Sequence, residues 1–467
     1  MYQLPRSREI GVNTCDACLE KQREIDRLRE EVARLRTQLC QRQRDANAAP
    51  FGSSTPSSKI SVKPNTTPEH TRQRGGARAG HIGHGRRSVT ATAAERVVTI
   101  MAEDSCPQCG GALVAKGWQA RSVLEMQPVL VEPVQYRLQK KYCADCQRSV
   151  CAAAPGVLPK SLFGNQLTAH ILMSHYLHGE PLGRISERLN LGLGALIEMT
   201  HRVARPFHHI VKELSGEYRA APVRHADETG WRTDGQSGYA WLFCTEQTSI
   251  FLFRRTRSAS VAKEVLGTAP LSGVLVVDRY GGYNHAPVAL QYCYAHLLRD
   301  VEDLQKEFPT DVEVGAFTAT VIPLLAQAMH LRRQSITDAD YYQQAREIKR
   351  QIIVATEAEA RHPGIRKLQD LFHDKAERLY HWVESRAVPA ENNRAERELR
   401  PTVIARKVSF GSQSDAGAKT RETWMTVLAT LRKRVQHPQQ RLKEVLDALA
   451  RDPQAEVAKL LWAADTS

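Results

Sequence analysis

No stretch of this 467-residue chain approaches the roughly 18 consecutive apolar residues of a membrane-spanning helix. The opening MYQLPRSREI also lacks the apolar centre of a signal peptide. These absences argue against a membrane-embedded or secreted protein and lead us to expect a soluble, cytoplasmic one, in which paired cysteines bind metal more often than they form disulfides. Acid is scarce too: 51 Asp and Glu face 65 Lys and Arg, a net charge of +14. Such a balance favours a polyanionic partner, since neutralising phosphates releases condensed counterions, although charge alone does not separate nucleic acid from an anionic membrane surface. With 42% hydrophobic residues the chain can build at least one sizeable core, and its length suits roughly two to four domains.

Residues 1–40 read as a coiled-coil helix. Ile25, Leu28, Val32, Leu35 and Leu39 recur three and four residues apart with Glu and Arg outside the seam. Homo-oligomerisation through residues 20–40 is therefore expected, the alternative being one amphipathic helix packed on its own domain. Residues 41–95 read as a basic flexible linker. Positions 41–90 hold nine Lys/Arg against two Asp/Glu and few apolar residues, too little to bury a core. Arg78, Arg86 and Arg87 at its end could follow a DNA backbone.

Residues 96–160 read as a zinc-binding β module. Cys106-Pro-Gln-Cys109 and Cys143-Ala-Asp-Cys146 are separated by 33 residues. Two CxxC knuckles suit a structural Zn²⁺, because a tetrahedral ion takes thiolates two at a time from tight turns. The intervening SVLEMQPVLVEPVQYRLQKKY alternates like paired strands. Cys151 is a spare candidate ligand, and Cys15-Asp-Ala-Cys18 has no fourth partner nearby. Residues 161–220 read as helical, with two helices around the turn Asn190-Leu191-Gly192-Leu193. A DNA-binding helix-turn-helix is possible there.

From residue 221 the pattern turns to β. HADETGW carries Asp227, GVLVVDRYGG carries Asp278 and NNRAERELR carries Glu396. A carboxylate ending a buried strand, as Asp278 does after Val274–Val277, is a common site position in an α/β sheet. Each acid has a plainer reading. Asp227 and Asp278 could be turn residues, and Asn393 with Glu396 has the spacing of a helix capping box. Brought together in a basic chain, the three would hold divalent metal, and a metal pair can cut and join phosphodiester bonds.

Several stretches resemble the insertion-sequence-66 family of bacterial transposases across nearly the whole length: GARAGHIGHGR, CPQCG with CADC, HADETGW, VLVVDRYGGYN, CYAHLLRD and, most specifically, NNRAERELRPTVIARKVSFGS. RLKEVLDALARDPQAEVAKLLW is more weakly similar to that family's small tail domain. The resemblance implies a multidomain α/β chain with a ribonuclease H-like catalytic core at 221–435, interrupted by a helical insertion at about 296–390, and a helical C-terminal tail at 436–467. It implies a DDE triad of Asp227, Asp278 and Glu396, spaced 51 and 118 residues apart, holding two Mg²⁺ (or Mn²⁺). Glu228 and Glu398 are competing acids. Arg394, Arg400, Arg406 and Lys407 would hold phosphates near the site, and Cys293-Tyr-Ala-His296 resembles a CxxH signature of related transposases. The expected activity is cutting of an element's ends in double-stranded DNA and joining of the 3′-OH to target DNA, in the cytoplasm at the nucleoid. Accessory proteins of the element are possible partners. The rival expectations are a zinc-containing DNA-binding protein without catalysis and a nuclease that cuts but does not join.

Overall fold

A computed structural model describes residues 131–143 and 148–463, together with positions 21, 24, 25, 27, 28 and 31. The chain divides into two units, Met1–Val129 and Leu130–Ser467. In the first, the described positions are helical, and Ile25 and Leu28 are exposed. The rest of the expected seam, the linker with Arg78, Arg86 and Arg87, and Cys15, Cys18, Cys106, Cys109 and Cys146 lie outside the described residues. Cys143 and Cys151 are placed in strands, but their side chains also lie outside them.

In the second unit β1 (Lys140–Cys143) pairs antiparallel with β2 (Arg148–Cys151). The ladder ends with Cys143 pairing with Arg148. The strands expected before it do not form at residues 131–139. Pro133 removes a ladder donor there, and among the described residues Val134 and Leu138 stand exposed. Helices follow: α1 (Asn165–Leu172), continuing as a π turn through Met173–Leu177, α2 (Leu182–Leu189), α3 (Leu193–Ala204) and α4 (Ile210–Ala220). The expected turn between α2 and α3 is present. Asn190 closes α2 in the left-handed region (φ 52°) and Gly192 opens α3, using the tolerance of Asn for that backbone.

The sheet begins with β3 (Val223–Thr233), β4 (Gln236–Cys244) and β5 (Ser249–Arg254), an antiparallel meander. Its first turn is Asp234-Gly235, both at positive φ, as a tight two-residue hairpin demands. Helix α5 (Ala259–Leu266) crosses over to β6 (Val274–Val277), which pairs parallel with β3, and β7 (Ala289–Tyr292) pairs parallel with β6. The order is β5-β4-β3-β6-β7. Gly273 (φ 79°) lets β6 begin hard against β3, since a Cβ there would lie 2.2 Å from the Pro222 carbonyl oxygen.

Between the sheet and its final helices lie α6 (Tyr294–Glu307), α7 (Val312–Leu331), α8 (Asp338–Glu357), α9 (Pro363–Asp374) and α10 (His381–Glu384). The absence of any long apolar run needs correcting at α7. Its 20 residues are long and apolar enough, by length and composition, to cross a membrane. Here they pack against α6 and α8 through Val314, Thr318, Val321 and Leu325.

Helices α11 (Asn393–Ser409) and α12 (Asp415–Arg434) then return to the sheet. Helix α12 lies along the edge strand β5 and is buried at nearly every position from Thr420 to Leu431. Its Thr430 and Thr426 hydroxyls accept the backbone N–H of Ser249 (3.0 Å) and Phe251 (2.9 Å), and Glu422 accepts that of Phe253 (3.4 Å). Four helical residues rise about 6 Å and two strand residues about 6.7 Å, so one side chain per turn meets every second donor of the strand. Thr426→Val keeps the shape and removes the acceptor. We expect it to cost about 1–3 kcal/mol in urea unfolding, with Thr426→Ser restoring most of the loss; equal stability of Val and Thr would show that the ladder contributes nothing. Finally α13 (Pro438–Arg451) and α14 (Val457–Leu461) pack back onto the helical region, where Asn165 Nδ2 donates to Asp447 Oδ1 at 2.8 Å.

Candidate active site

Asp227 and Asp278 meet through strand register. His225 of β3 pairs with Val276 of the parallel β6. Asp227 lies two residues further along β3, and Asp278 immediately follows the last residue of β6; the Asp278 charge is near enough to act on the Asp227 carboxyl. Each carboxylate is fixed by one backbone donor. Asp227 Oδ1 accepts the N–H of Glu228 and Asp278 Oδ1 that of Tyr280, both at 2.9 Å.

Glu396 reaches the same place from α11, and not as the capping residue its spacing suggests. The helix is capped at Asn392 rather than Asn393, without a side-chain cap bond. The Asn392 side chain is spent on β3 instead: Nδ2 donates to the Ala226 carbonyl at 2.8 Å, and Oδ1 accepts from His225 Nδ1 at 2.9 Å. Its backbone N–H donates to Cys293 Sγ at 3.1 Å, while the Cys293 N–H donates to the Val277 carbonyl at 2.9 Å. Asn392 and Cys293 thereby tie the start of α11 to the ends of the two acid-bearing strands. Among the described residues the Glu396 carboxylate, left out of capping, meets Arg299 in a 3.5 Å ion pair. The paired asparagines were legible in the sequence; their role as a clamp was not.

Burial pushes the Asp227 carboxyl well above the usual carboxylate range, reinforced by the nearby negative charges of Glu228, Asp278 and Glu396. The competing acids are already occupied. Glu228, raised chiefly by burial, accepts from Arg257 at 2.6 Å through one oxygen and from the Tyr283 hydroxyl at 2.5 Å through the other. Arg257 in turn lies 3.9 Å over the Tyr280 ring. Glu398 pairs with Lys433 at 2.7 Å and accepts from the Ser249 hydroxyl at 2.6 Å. Sequence reasoning left these acids open and missed Arg257 and Tyr283, whose partners lie 29 and 55 residues away.

The CxxH pair adjoins the acids. Ligand-capable atoms of Cys293, His296 and Glu396 lie within 4.8 Å of one another. Burial drives the Cys293 thiol up to about 12 and lowers the His296 imidazole, whose Nδ1 is buried without a partner. Among the basic residues, Arg400 and Lys407 are exposed and Arg394 is half-buried. Arg406 instead turns inward, donating through Nη1 to the Thr229 hydroxyl at 3.2 Å and to the Gly230 carbonyl.

Oxygen donors that repel one another, with no cationic side chain among the described residues in an ion pair with Asp227 or Asp278, suit a hard divalent ion such as Mg²⁺ or Mn²⁺. Among known proteins, the chain is 25% identical over 416 residues to the Uncharacterized protein y4qI of Sinorhizobium fredii (strain NBRC 101917 / NGR234), an alignment covering 79% of this chain and 75% of that protein. The family described as Transposase IS66 family matches residues 160–420, the span that contains the sheet, the three acids and the helices between them. More than half of the chain therefore carries that family's pattern, and the protein belongs to the IS66 family of transposases.

Proposed function

We propose that this transposase cuts the ends of its own insertion sequence and joins the freed 3′-OH to target DNA, using Asp227, Asp278 and Glu396 as a DDE triad on a ribonuclease H-like core. The single observation that supports the reading is that Asp227, on β3, has its carboxyl raised by the charges of both Asp278, just past the parallel neighbour β6, and Glu396. The strand order, an antiparallel meander extended by two parallel strands, suits that core. The three carboxylates would hold two Mg²⁺ or Mn²⁺ ions. When bound, such ions supply an activated water or 3′-hydroxyl and neutralise the leaving oxygen. The chain's own part is positional. Asn392 fixes the approach of α11, Arg257 and Tyr283 keep Glu228 occupied, and the basic residues of α11 draw the phosphate backbone towards the acids. No serine or tyrosine nucleophile is required.

The same reading assigns structural Zn²⁺ to Cys106, Cys109, Cys143 and Cys146, backbone contacts to Arg78, Arg86 and Arg87, terminal-repeat binding to the helices of 161–220, and self-association to residues 20–40. The test is an incubation of the intact protein with a duplex carrying the element's terminal repeat and a target duplex, with Mg²⁺, Mn²⁺ or chelator. We expect metal-dependent nicking that leaves a 3′-OH, followed by joined products of greater length. Binding without nicking under any metal would overturn the reading in favour of a non-catalytic DNA-binding protein, and nicking without joining in favour of a nuclease.

A further inference from the structure

We propose that Phe410, at the far end of the helix that carries Glu396, is a wedge that inserts into the base stack of the bound duplex. The proposal rests on the reading above only in taking duplex DNA as the partner. Helix α11 exposes one long face. Arg397, Arg400, Ile404 and Lys407 follow one another at three- and four-residue spacing, Val408 lies four residues after Ile404, and all are exposed, so they form a single stripe. The stripe begins beside Glu396 and ends at Phe410, which is 74% exposed. Ile404 and Val408 are also exposed, at 52% and 40%. Three positive charges interleaved with aliphatic groups match a phosphate backbone flanking an apolar groove floor, and large side chains are what separate base steps in bent duplexes.

The mounting of Phe410 points the same way. It closes α11 in the left-handed region, φ 60° and ψ −6°, where glycine or asparagine is the ordinary choice. A bulky residue there is an outlier that the surrounding structure must enforce. The Phe410 N–H donates to the Arg406 carbonyl at 2.9 Å. Immediately after it the chain is stitched to the end of β3. The Ser412 N–H donates to the Arg232 carbonyl at 2.9 Å, the Ser412 carbonyl accepts from the Asp234 N–H at 2.8 Å, and the Ser412 hydroxyl accepts from Trp231 Nε1 at 3.1 Å. Gly411 sits so close that a Cβ would lie 2.2 Å from the Arg232 carbonyl oxygen. The backbone under the ring is therefore tied to the end of β3, and the ring itself stands exposed.

Geometry also gives the site of insertion. Fourteen residues separate Glu396 from Phe410, about 21 Å of helix. A duplex following that face would meet the ring about six base pairs from the phosphate at the acids.

The experiment places 2-aminopurine singly at successive positions of the terminal-repeat duplex, on both sides of the cut, and reads its fluorescence on binding the full-length protein with divalent metal chelated. Phe410→Asn is the informative variant because asparagine keeps the left-handed backbone and removes the ring, and Phe410→Trp keeps an aromatic surface. We expect wild type and Phe410→Trp to brighten one position about six base pairs from the cut. Phe410→Asn should lose that signal and bind about fivefold more weakly. A duplex bound by wild type with no bright position, or a signal unchanged in Phe410→Asn, overturns the wedge while leaving the cut-and-join reading intact. So does a loss confined to self-association, which would make Phe410 a protein contact. Failure of wild type to bind the duplex at all sinks both.

Discussion

Asp278→Ala is expected to reduce metal-dependent strand cleavage on the order of a thousandfold or more, while affinity for the same duplex without metal changes less than about twofold. The asymmetry follows from geometry. The aspartate follows a buried strand among other acids, whereas the exposed basic stripe proposed to meet phosphates lies along α11. A second readout needs no turnover. Asp227 is held among like charges, so Asp227→Asn should melt a few degrees higher than wild type in chelator, about the change that 1 kcal/mol makes in a domain of this kind. Wild type should gain stability on adding Mn²⁺, and the variant should gain little. Acidity gives the same test with a defined sign. A carboxyl whose folded value is raised contributes its full stability below the ordinary carboxylate range and loses it as pH climbs through the raised value. The metal-free wild type should therefore weaken as pH rises above that range, with a flatter profile for Asp227→Asn. Metal stabilisation undiminished in both variants would remove these residues from the site.

Arg224→Met is expected to cost about 3–5 kcal/mol of folding stability, the largest loss we anticipate from a single surface-neutral change. Arg224 lies in β3 and is fully buried. Its guanidinium donates to the Tyr218 carbonyl at 2.9 Å, to the Ser272 carbonyl at 2.8 Å and to the Arg219 carbonyl. Two of these acceptors end α4, where a positive charge is favourable against the exposed carbonyls, and the third precedes β6. One side chain thus joins α4, β3 and the approach to β6, and removing it takes a donor from three backbone carbonyls, of which Tyr218's keeps only the 3.3 Å bond from the Ala221 N–H. Lysine has no planar fork, so Arg224→Lys should recover only a minority of the loss. Urea unfolding of the three proteins checks the expectation, and a loss below about 1 kcal/mol for Arg224→Met would mean that water replaces the guanidinium.

What could be read in advance divides by range of interaction. The turn to β-rich sequence from residue 221 was visible, and the run Val274–Val277 marked a buried strand, because composition and burial are local properties. The turn at Asn190 and Gly192 was legible for the same reason. The pairing of β3 with β6 was not, since a 51-residue separation carries no statement of register. At Glu396 the local pattern misled: Asn393 and Glu396 have capping-box spacing, but the helix start is claimed by Asn392 bonding His225, 167 residues away. At α7 alternating Gly, Ala and Thr disguised an apolar helix. At residues 131–139, the described part of the alternating segment before β1, no strand forms. The choice among neighbouring acids needed Arg257, Tyr283, Lys433 and Ser249, all brought in by tertiary folding.

The threonine-lined helix α12 also sets the smallest piece of this chain that can be handled in isolation. A fragment ending before Asp415 would keep all three acids yet leave the run Ser249-Ile-Phe-Leu-Phe-Arg254 with its outward donors bare. An apolar strand in that condition recruits strands from other copies, and the fragment would precipitate as sheet-rich aggregate. Soluble expression of the acid-bearing sheet should require the chain to run on through Arg434, fourteen residues past the last position that the family pattern matches.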